Sequence, residues 1–368
     1  MSEDLDEARA PLLYTDSLEQ PLPDEDGVVD RIIASMRHEM EMVAAREGHA
    51  VRPSHAKSTG LLKGELRVLP GLAPELAQGL FTQPGTYPAV VRLAQGPGEH
   101  LSDSVSTHRG MSVKLFGVSG ERLPGQGAPT QDWVFATGAA FPQADAARFL
   151  GAMKGLEAAT PMPEAAKGAV SLLSRAASAV VHALGGDSPT LAFFGHTKRN
   201  PLCDTYYSQA PLRYGAYVCK MAFAPVSPKL TSRLDEMVDT SADPDAFRTA
   251  VVDYMRHNAA EFELRVQLCL GGDDMPVEDA SVAWPEDQSP YRPVARLVLP
   301  AQDAHSPARA AYFNDVLAFR PAHSLAAHRP LGSIMRARLR AYAALSAARH
   351  ARNGVAEAEP AGVGAIPD

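Results

Sequence analysis

The order of strands and helices predicted along the chain constrains its fold more than any other sequence feature. Four short segments rich in β-forming residues come first, and a long alanine-rich helical stretch follows them. Further strands come next, and a helix lies near the end. Strands and helices do not alternate strictly, which disfavours a doubly wound parallel sheet. The order predicts an α+β protein built on an antiparallel β-barrel with surrounding helices.

Glycine and proline punctuation separates the individual segments. Strands are predicted at residues 64–69, 87–93, 111–116, 132–137, 214–224, 262–270 and 294–299. Apolar residues repeat at near-helical spacing in residues 28–46, which predicts a helix there. Two more helical stretches are predicted, at residues 143–184 with a break near Pro161 and Pro163, and at residues 331–350.

Composition changes at both ends of the sequence. Residues 1–27 are acidic and contain three prolines, so we expect an extended arm that wraps another surface or stays mobile. Residues 28–353 form the expected main domain. Residues 354–368 are expected to be a disordered tail.

Charge, hydropathy and cysteine spacing exclude several classes of protein. A formal net charge of -8 argues against nucleic acid as a partner, although residues 336–352 are locally basic. No secretory signal and no apolar run long enough for a membrane span are predicted. The cysteines Cys203, Cys219 and Cys269 form no metal or redox motif, and we expect buried thiols in a cytoplasmic protein.

The last helix carries a candidate site for a metal cofactor. Arg338, Tyr342 and Arg349 are offset by four and eleven residues, which places them on one helical face. A phenol has a pKa near 10 and must lose its proton to bind ferric iron well, and a guanidinium one turn away stabilises the phenolate. Arg349 could then bind a haem propionate with bidentate geometry. The alternative is a solvated arginine–tyrosine pair.

A second candidate segment, Arg52-Pro-Ser-His55-Ala-Lys57, precedes the first predicted strand. An imidazole titrates near neutral pH, so His55 could take a proton from one peroxide oxygen and return it to the other. The alternative is a loop histidine without a catalytic role. Arg52 and Arg92 are candidate propionate ligands or ordinary surface charges.

Several segments between these ends carry further patterns. In order, they are Arg52-x-x-His55-Ala-Lys57, Val90-Val-Arg92-Leu93, Arg109-Gly-Met-Ser-Val-Lys114, Gln131-Asp-Trp133, Tyr206-Tyr-Ser-Gln-Ala-Pro211-Leu-Arg213-Tyr-Gly215, Asp279-Ala-Ser-Val-Ala-Trp284, Ala318-Phe-Arg-Pro-Ala-His323, His328-Arg-Pro-Leu-Gly-Ser333 and Arg338-x-x-x-Tyr342. Together they resemble the haem catalase family, in particular its short members, the catalase-related peroxidases.

The resemblance implies a barrel of about eight strands with haem b bound beside it. It also implies a role for each candidate residue. These roles are His55 as the distal acid and base, Tyr342 as the iron ligand, Arg338 as the partner of the phenolate, and Arg52, Arg92 and Arg349 as propionate ligands.

The sequence departs from the family pattern on the distal side. An ungapped match places Thr137 where the family has an asparagine, and we expect Thr137 to contribute one distal hydrogen bond. Ala94 stands at the position of a serine that supports the distal histidine. Ser106 replaces an arginine. Gln131 is the alternative distal polar group if the match is shifted.

These features together predict a haem b-dependent peroxidase that reduces hydrogen peroxide or an organic hydroperoxide through a ferryl intermediate. A small organic reductant would supply the electrons. We expect a cytoplasmic homo-oligomer. The alternative on the same fold is a fatty-acid hydroperoxide lyase or isomerase, similar to allene oxide synthase, which loss of distal polar groups favours. A haem sensor or store without turnover is a third class, and His55 argues against it.

Overall fold

A closed ring of antiparallel strands forms the centre of the fold. The computed structural model describes residues 9–159, 162–183 and 195–368. Its strands are β1 (Ser58–Val68), β2 (Thr86–Gln95), β3 (Arg109–Leu115), β4 (Gln131–Thr137), β5 (Tyr206–Tyr207), β6 (Leu212–Tyr214), β7 (Tyr217–Pro225), β8 (Ala260–Leu268) and β9 (Arg292–Leu299). Within this described part, eight strands close in the order β1-β2-β3-β4-β5-β7-β8-β9, and β6 extends β7 outside the ring. The predicted antiparallel barrel is confirmed.

Alternation of side chains along each strand fills the barrel. In β8 the residues Phe262, Leu264 and Val266 are buried, whereas the residues between them are partly exposed. Successive side chains of a strand point to opposite faces, so one face of each strand builds the core and the other faces outward. Aromatic side chains, including Phe81 and Trp133, complete the interior.

The helices lie outside the barrel. They are α1 (Glu25–Glu47), α2 (Ala146–Ala159), α3 (Glu164–Ala183), α4 (Pro228–Thr231), α5 (Ala246–His257), α6 (Pro307–Ala311) and α7 (Ser333–Asn353). The stretch predicted as helical at residues 143–184 is helical in α2 and α3, and Pro163 lies between the two helices. Pro161 and Leu184 lie outside the described residues. No described helix is long and apolar enough to cross a membrane.

Three of these helices pack together on one side of the barrel. Val29 and Ile32 of α1 contact a cluster that includes Ala146 and Met153 of α2 and Ala337 of α7. This packing fixes α7, which carries the predicted iron ligand, against the outer face of the barrel.

Both ends of the described chain lie on the barrel. In the N-terminal arm, the Leu12 amide donates to the Cys269 carbonyl. The C-terminal segment differs from the expected disordered tail. Ile366 is buried, and the Asp368 carboxylate pairs with Lys63 at 2.6 Å. The composition of residues 354–368 gave no periodic signal, whereas one apolar contact and several ion pairs hold this segment in place. The division into arm, domain and tail remains a prediction.

The cysteines are buried free thiols, as their spacing predicted. Burial raises the pKa of Cys203 to about 11 and that of Cys219 well above its usual value. Such thiols stay protonated near neutral pH and pack as small apolar side chains.

Candidate functional site

A cavity of about 420 Å³ lies between the outer face of the barrel and helices α1, α2 and α7. This volume is in the range of roughly 300–1,000 Å³ that is typical of small-molecule sites. The lining is largely apolar, with Ile32 and Met36 from α1, Val134 and Ala136 from β4, and Phe149 from α2. The cavity is therefore suited to a large apolar ligand that carries a few polar groups.

Most of the predicted site residues meet in this cavity. The predicted residues that line it are Arg52, His55, Arg92, Arg338, Tyr342 and Arg349. Strand β2, helix α7 and the loop before β1 supply them, so the fold joins segments from opposite ends of the sequence.

Tyr342 and Arg338 interact directly along α7. The Arg338 Nη2 atom donates to the Tyr342 hydroxyl at 3.2 Å and to the Val134 carbonyl at 2.8 Å. The guanidinium carbon lies 5.3 Å from the centre of the tyrosine ring. A positive donor at the phenolic oxygen stabilises the phenolate over the phenol. The contact places a cationic donor at the phenolic oxygen that the sequence analysis expects to bind iron.

Three guanidinium groups converge around Asn314. Arg52 donates to the carbonyls of Phe313 and Leu317, both at 2.7 Å, and to the Asn314 carbonyl at 3.1 Å. Arg92 donates to the Asn314 side chain at 3.3 Å, and Arg349 donates to the Asn314 carbonyl. Among the residues that the structure describes, no carboxylate lies within 4.0 Å of these three groups.

Burial makes this arginine cluster energetically unfavourable without an anion. Desolvation lowers the pKa of Arg92 to about 9, and the positive charge of Arg349 adds to the effect. Desolvation also lowers the pKa of Arg52 well below its usual value, and Arg92 and Arg349 act in the same direction. The pKa of Arg349 is likewise lowered by burial. Buried charges are normally paired, so the cluster indicates a binding site for an anionic ligand.

His55 lies in the same cavity in an unusual backbone conformation. Its φ angle is 57°, in the left-handed region, and its amide donates to the Gly96 carbonyl at 2.8 Å. A Cβ atom on Gly110 would lie only 2.8 Å from the His55 ring, so this glycine leaves the space that the imidazole occupies. Strain of this kind at a non-glycine residue is concentrated at functional sites.

The surroundings of His55 favour its neutral form. Desolvation lowers its pKa well below 6.5, and the charges of His108, Arg92 and Arg338 act in the same direction. No hydrogen bond of ordinary geometry satisfies its buried Nδ1 atom among the described residues, although the nearby Gln95 backbone acts on the pKa in the opposite direction. The imidazole is thus available as a base at neutral pH.

Thr137 is not brought into the cavity. Its hydroxyl accepts a hydrogen bond from the Arg109 amide at 3.0 Å. The β4 residues that line the cavity are Val134, Phe135 and Ala136, and Thr137 lies one residue beyond them, at the end of the strand. The placement of Thr137 in the distal site is therefore not supported.

The other distal alternatives from the sequence also lie elsewhere. The amide oxygen of Gln131 accepts from the Leu325 amide at 2.9 Å, in a separate small cavity. Ala94 and Ser106 do not line the large cavity. His108 and Gln209 do line the cavity, and their side chains can donate and accept hydrogen bonds as the expected distal groups would.

Sequence reasoning missed Asn314 and the two glycines beneath the histidines. Asn314 lies in a turn of π-helix, Tyr312–Val316, whose carbonyls meet the arginine cluster, and nothing in the sequence marks that turn. Gly96 and Gly110 had a detectable signal, because a single glycine at or near a strand suggests a close approach.

Comparisons with known proteins support the fold. No family model and no curated protein matches the chain. Three similar solved structures are a fungal catalase, catalase A from Saccharomyces cerevisiae and a bacterial catalase, with TM-scores of 0.58, 0.57 and 0.54. Each is 17% identical, and the matches cover 83%, 83% and 85% of this chain but only 60%, 62% and 60% of theirs. The chain thus has a catalase-like fold and spans about three fifths of the length of these catalases.

Proposed function

We propose that this protein is a haem b-dependent peroxidase that reduces hydrogen peroxide or an organic hydroperoxide. One observation carries the proposal. A single cavity joins an arginine-bound tyrosine, a partly buried imidazole whose pKa is lowered, and three guanidinium groups with no carboxylate within 4.0 Å among the described residues. The catalase-like fold is consistent with this chemistry and is not by itself the reason for it.

The residues of the cavity fit haem b in three respects. Arg52, Arg92 and Arg349 would hold the two propionates, which would supply the negative charge that the cluster lacks. The apolar side chains would enclose the porphyrin. Tyr342 would bind the iron through the oxygen that accepts a hydrogen bond from Arg338. Bound haem would supply the redox-active iron at which the peroxide O–O bond is cleaved.

His55 would move the proton in this reaction. As a neutral imidazole it would accept a proton from the hydroperoxide oxygen that approaches the iron, and it would return that proton to the departing oxygen. The balanced reaction consumes one hydroperoxide, two electrons and two protons, and yields one alcohol and one water. With hydrogen peroxide both products are water. A small organic donor would provide the electrons.

A second candidate function is the rearrangement of a fatty-acid hydroperoxide by a lyase or isomerase. The observation that favours it is the apolar lining where strand β4 passes the cavity, since Val134 and Ala136 lie there. Such a rearrangement is redox-neutral and needs no external reductant. A homo-oligomer in the cytoplasm remains the prediction from the sequence for either function.

The proposal is tested by haem titration and by peroxide kinetics. We expect the purified chain to bind one haem, and Tyr342→Phe to lose the ferric–phenolate absorption and most of the haem. We expect His55→Ala to keep haem but to consume peroxide about a hundred- to ten-thousand-fold more slowly. A matched control is His100→Ala, which changes an exposed histidine bonded to Glu47.

Substrate comparison separates the two candidate functions. A peroxidase consumes hydrogen peroxide and a bulky alkyl hydroperoxide only as fast as it oxidises a phenolic donor. A lyase or isomerase consumes a fatty-acid hydroperoxide with no donor present. An unchanged absorption spectrum in Tyr342→Phe, or full activity in His55→Ala, would contradict the assigned roles.

A further inference from the structure

Two imidazoles, not one, lie together in the cavity. The rings of His55 and His108 are 5.2 Å apart between centroids, with planes at 80°, so that the edge of one ring meets the face of the other. Both residues line the cavity. His108 lies directly before strand β3, whereas His55 precedes β1, so the barrel brings them together.

Two glycines make room for this pair. A Cβ atom on Gly96 would lie 2.3 to 2.6 Å from three atoms of the His108 ring. A Cβ atom on Gly110 would lie 2.8 Å from two atoms of the His55 ring. The two backbone segments are adjacent, since the Gly96 amide donates to the His108 carbonyl at 2.9 Å. Each ring therefore packs directly against the backbone of a glycine.

His55 needs an orienting neighbour because the side chains expected from the sequence do not supply one. Thr137 is directed to the Arg109 amide, and Ala94 has no polar group. The His55 Nδ1 atom makes no ordinary hydrogen bond within the described residues. The edge-to-face contact with His108 and the packing against Gly110 are therefore two contacts that orient the imidazole plane.

We propose that His55 and His108 act as one pair, in which His108 orients the His55 ring and competes with it for a single proton. This inference rests on the proposed peroxidase or lyase function and names a positioning residue for it. His108 acts through His55 and does not itself receive the peroxide proton. At rest the pair holds at most one proton, because two imidazolium ions at this separation in a mostly apolar cavity repel each other strongly.

The pair controls the protonation state of His55 during the proposed reaction. His55 must be neutral before it can accept the hydroperoxide proton, and a neighbouring group that repels a second positive charge keeps it neutral. After the transfer His55 is an imidazolium only transiently, because repulsion from His108 favours return of the same proton to the leaving oxygen, and His108 ends the cycle unchanged. The charged groups that act on His55 are His108, Arg92 from β2 and Arg338 from α7.

Two substitutions separate orientation from charge. His108→Phe keeps a ring of similar shape but cannot bind a proton, and His108→Ala removes both properties. Removing the charge lets His55 bind its proton more readily, so the acid limb of any reaction that needs neutral His55 moves to higher pH in both variants. His108→Ala should also slow that reaction by roughly tenfold at every pH. This is less than the rate loss of about a hundredfold or more that follows removal of a general base, because His55 is still present but less well oriented.

The measurement uses hydrogen cyanide binding to the haem-loaded chain, followed against pH by stopped flow. Hydrogen cyanide must give its proton to a base as it binds, so the rate reports the base without catalytic turnover. A second readout is the titration of the His55 ring by NMR in the full-length chain without haem. His100→Ala is the matched control, and the double variant His55→Ala with His108→Phe completes a cycle.

We expect the acid limb and the His55 titration to move together in His108→Phe, with an unchanged rate at high pH. We also expect no further effect of His108→Phe once His55 is replaced. If both titration and acid limb stay in place in His108→Phe, or if the effect persists without His55, the pairing is wrong. If haem does not bind or His55→Ala is fully active, the proposed function fails instead, and the NMR titration still decides whether the two rings are coupled.

Discussion

Replacing Arg92 by methionine should stabilise the protein without haem and weaken the stabilisation that haem provides. Arg92 is only 2% exposed, and its partners are the Ala56 carbonyl at 2.8 Å and the Asn314 side chain at 3.3 Å. Burial, with the charge of Arg349, lowers the pKa of Arg92 from the ordinary value of a guanidinium to about 9. The charged form of Arg92 is thus much less favourable in the folded chain than in the unfolded chain, although it still predominates at neutral pH.

The size of the effect follows from this pKa. Each pKa unit corresponds to about 1.4 kcal/mol, so the buried charge costs up to about 5 kcal/mol. Loss of two hydrogen bonds offsets this gain by about 1 kcal/mol each. The expected net increase in the free energy of unfolding for Arg92→Met is therefore about 1–3 kcal/mol, within the range known for buried charges replaced by apolar side chains.

The pH dependence has a definite sign. Below about pH 9 Arg92 is protonated in both the folded and the unfolded chain, so its cost is fully present at neutral pH. As the pH rises from about 9 towards 12.5, the folded chain loses the proton first and the cost disappears. The difference in stability between variant and wild type should therefore narrow above about pH 9.

Urea denaturation with and without haemin checks the prediction. Haem should stabilise the wild type more than Arg92→Met, because its propionates neutralise the cluster only where the arginine is present. The control is Arg256→Met, which changes an exposed arginine 3.7 Å from Asp253 and should stay within about 0.5 kcal/mol of wild type. A less stable Arg92→Met chain without haem, or equal stabilisation of both by haem, would refute the reasoning.

Three further predictions concern the space around His55 and two buried ion pairs of the fold. Gly110→Ala should place a methyl group against the His55 ring and slow peroxide consumption by about a hundredfold while haem absorption is kept, which stopped flow and spectroscopy can compare. Lys114→Met should lower the free energy of unfolding by about 3–5 kcal/mol in urea, because it removes the ammonium group 2.8 Å from the buried Asp132 carboxylate. Burial alone would raise the pKa of Asp204, but its cationic partners outweigh this and hold it below 3.8. Its contribution to stability should be complete above about pH 3.8 and be lost as the pH falls through the lower folded-state value, as acid unfolding followed by circular dichroism should show.

Local patterns in the sequence were sufficient to predict the barrel and the helical face of the proximal site. Strand alternation and helical periodicity depend on neighbouring residues, so β8 and the Arg338–Tyr342 spacing on α7 could be predicted without tertiary contacts. The predicted positions of β2, β3, β4, β8 and β9 agree with the observed ones to within two residues for the same reason, whereas β1 begins six residues earlier than predicted and the short strand β5 was not predicted.

Only the tertiary structure decided which side chains share the cavity. Thr137 and Ala136 are adjacent in β4, and the register of that strand, not its composition, places Ala136 at the cavity and Thr137 away from it. Asn314 and the edge-on contact of His55 with His108 arise where separate segments meet. A sequence carries no local signal for such a meeting, since it depends on the closure of the barrel and on the packing of α7 against it.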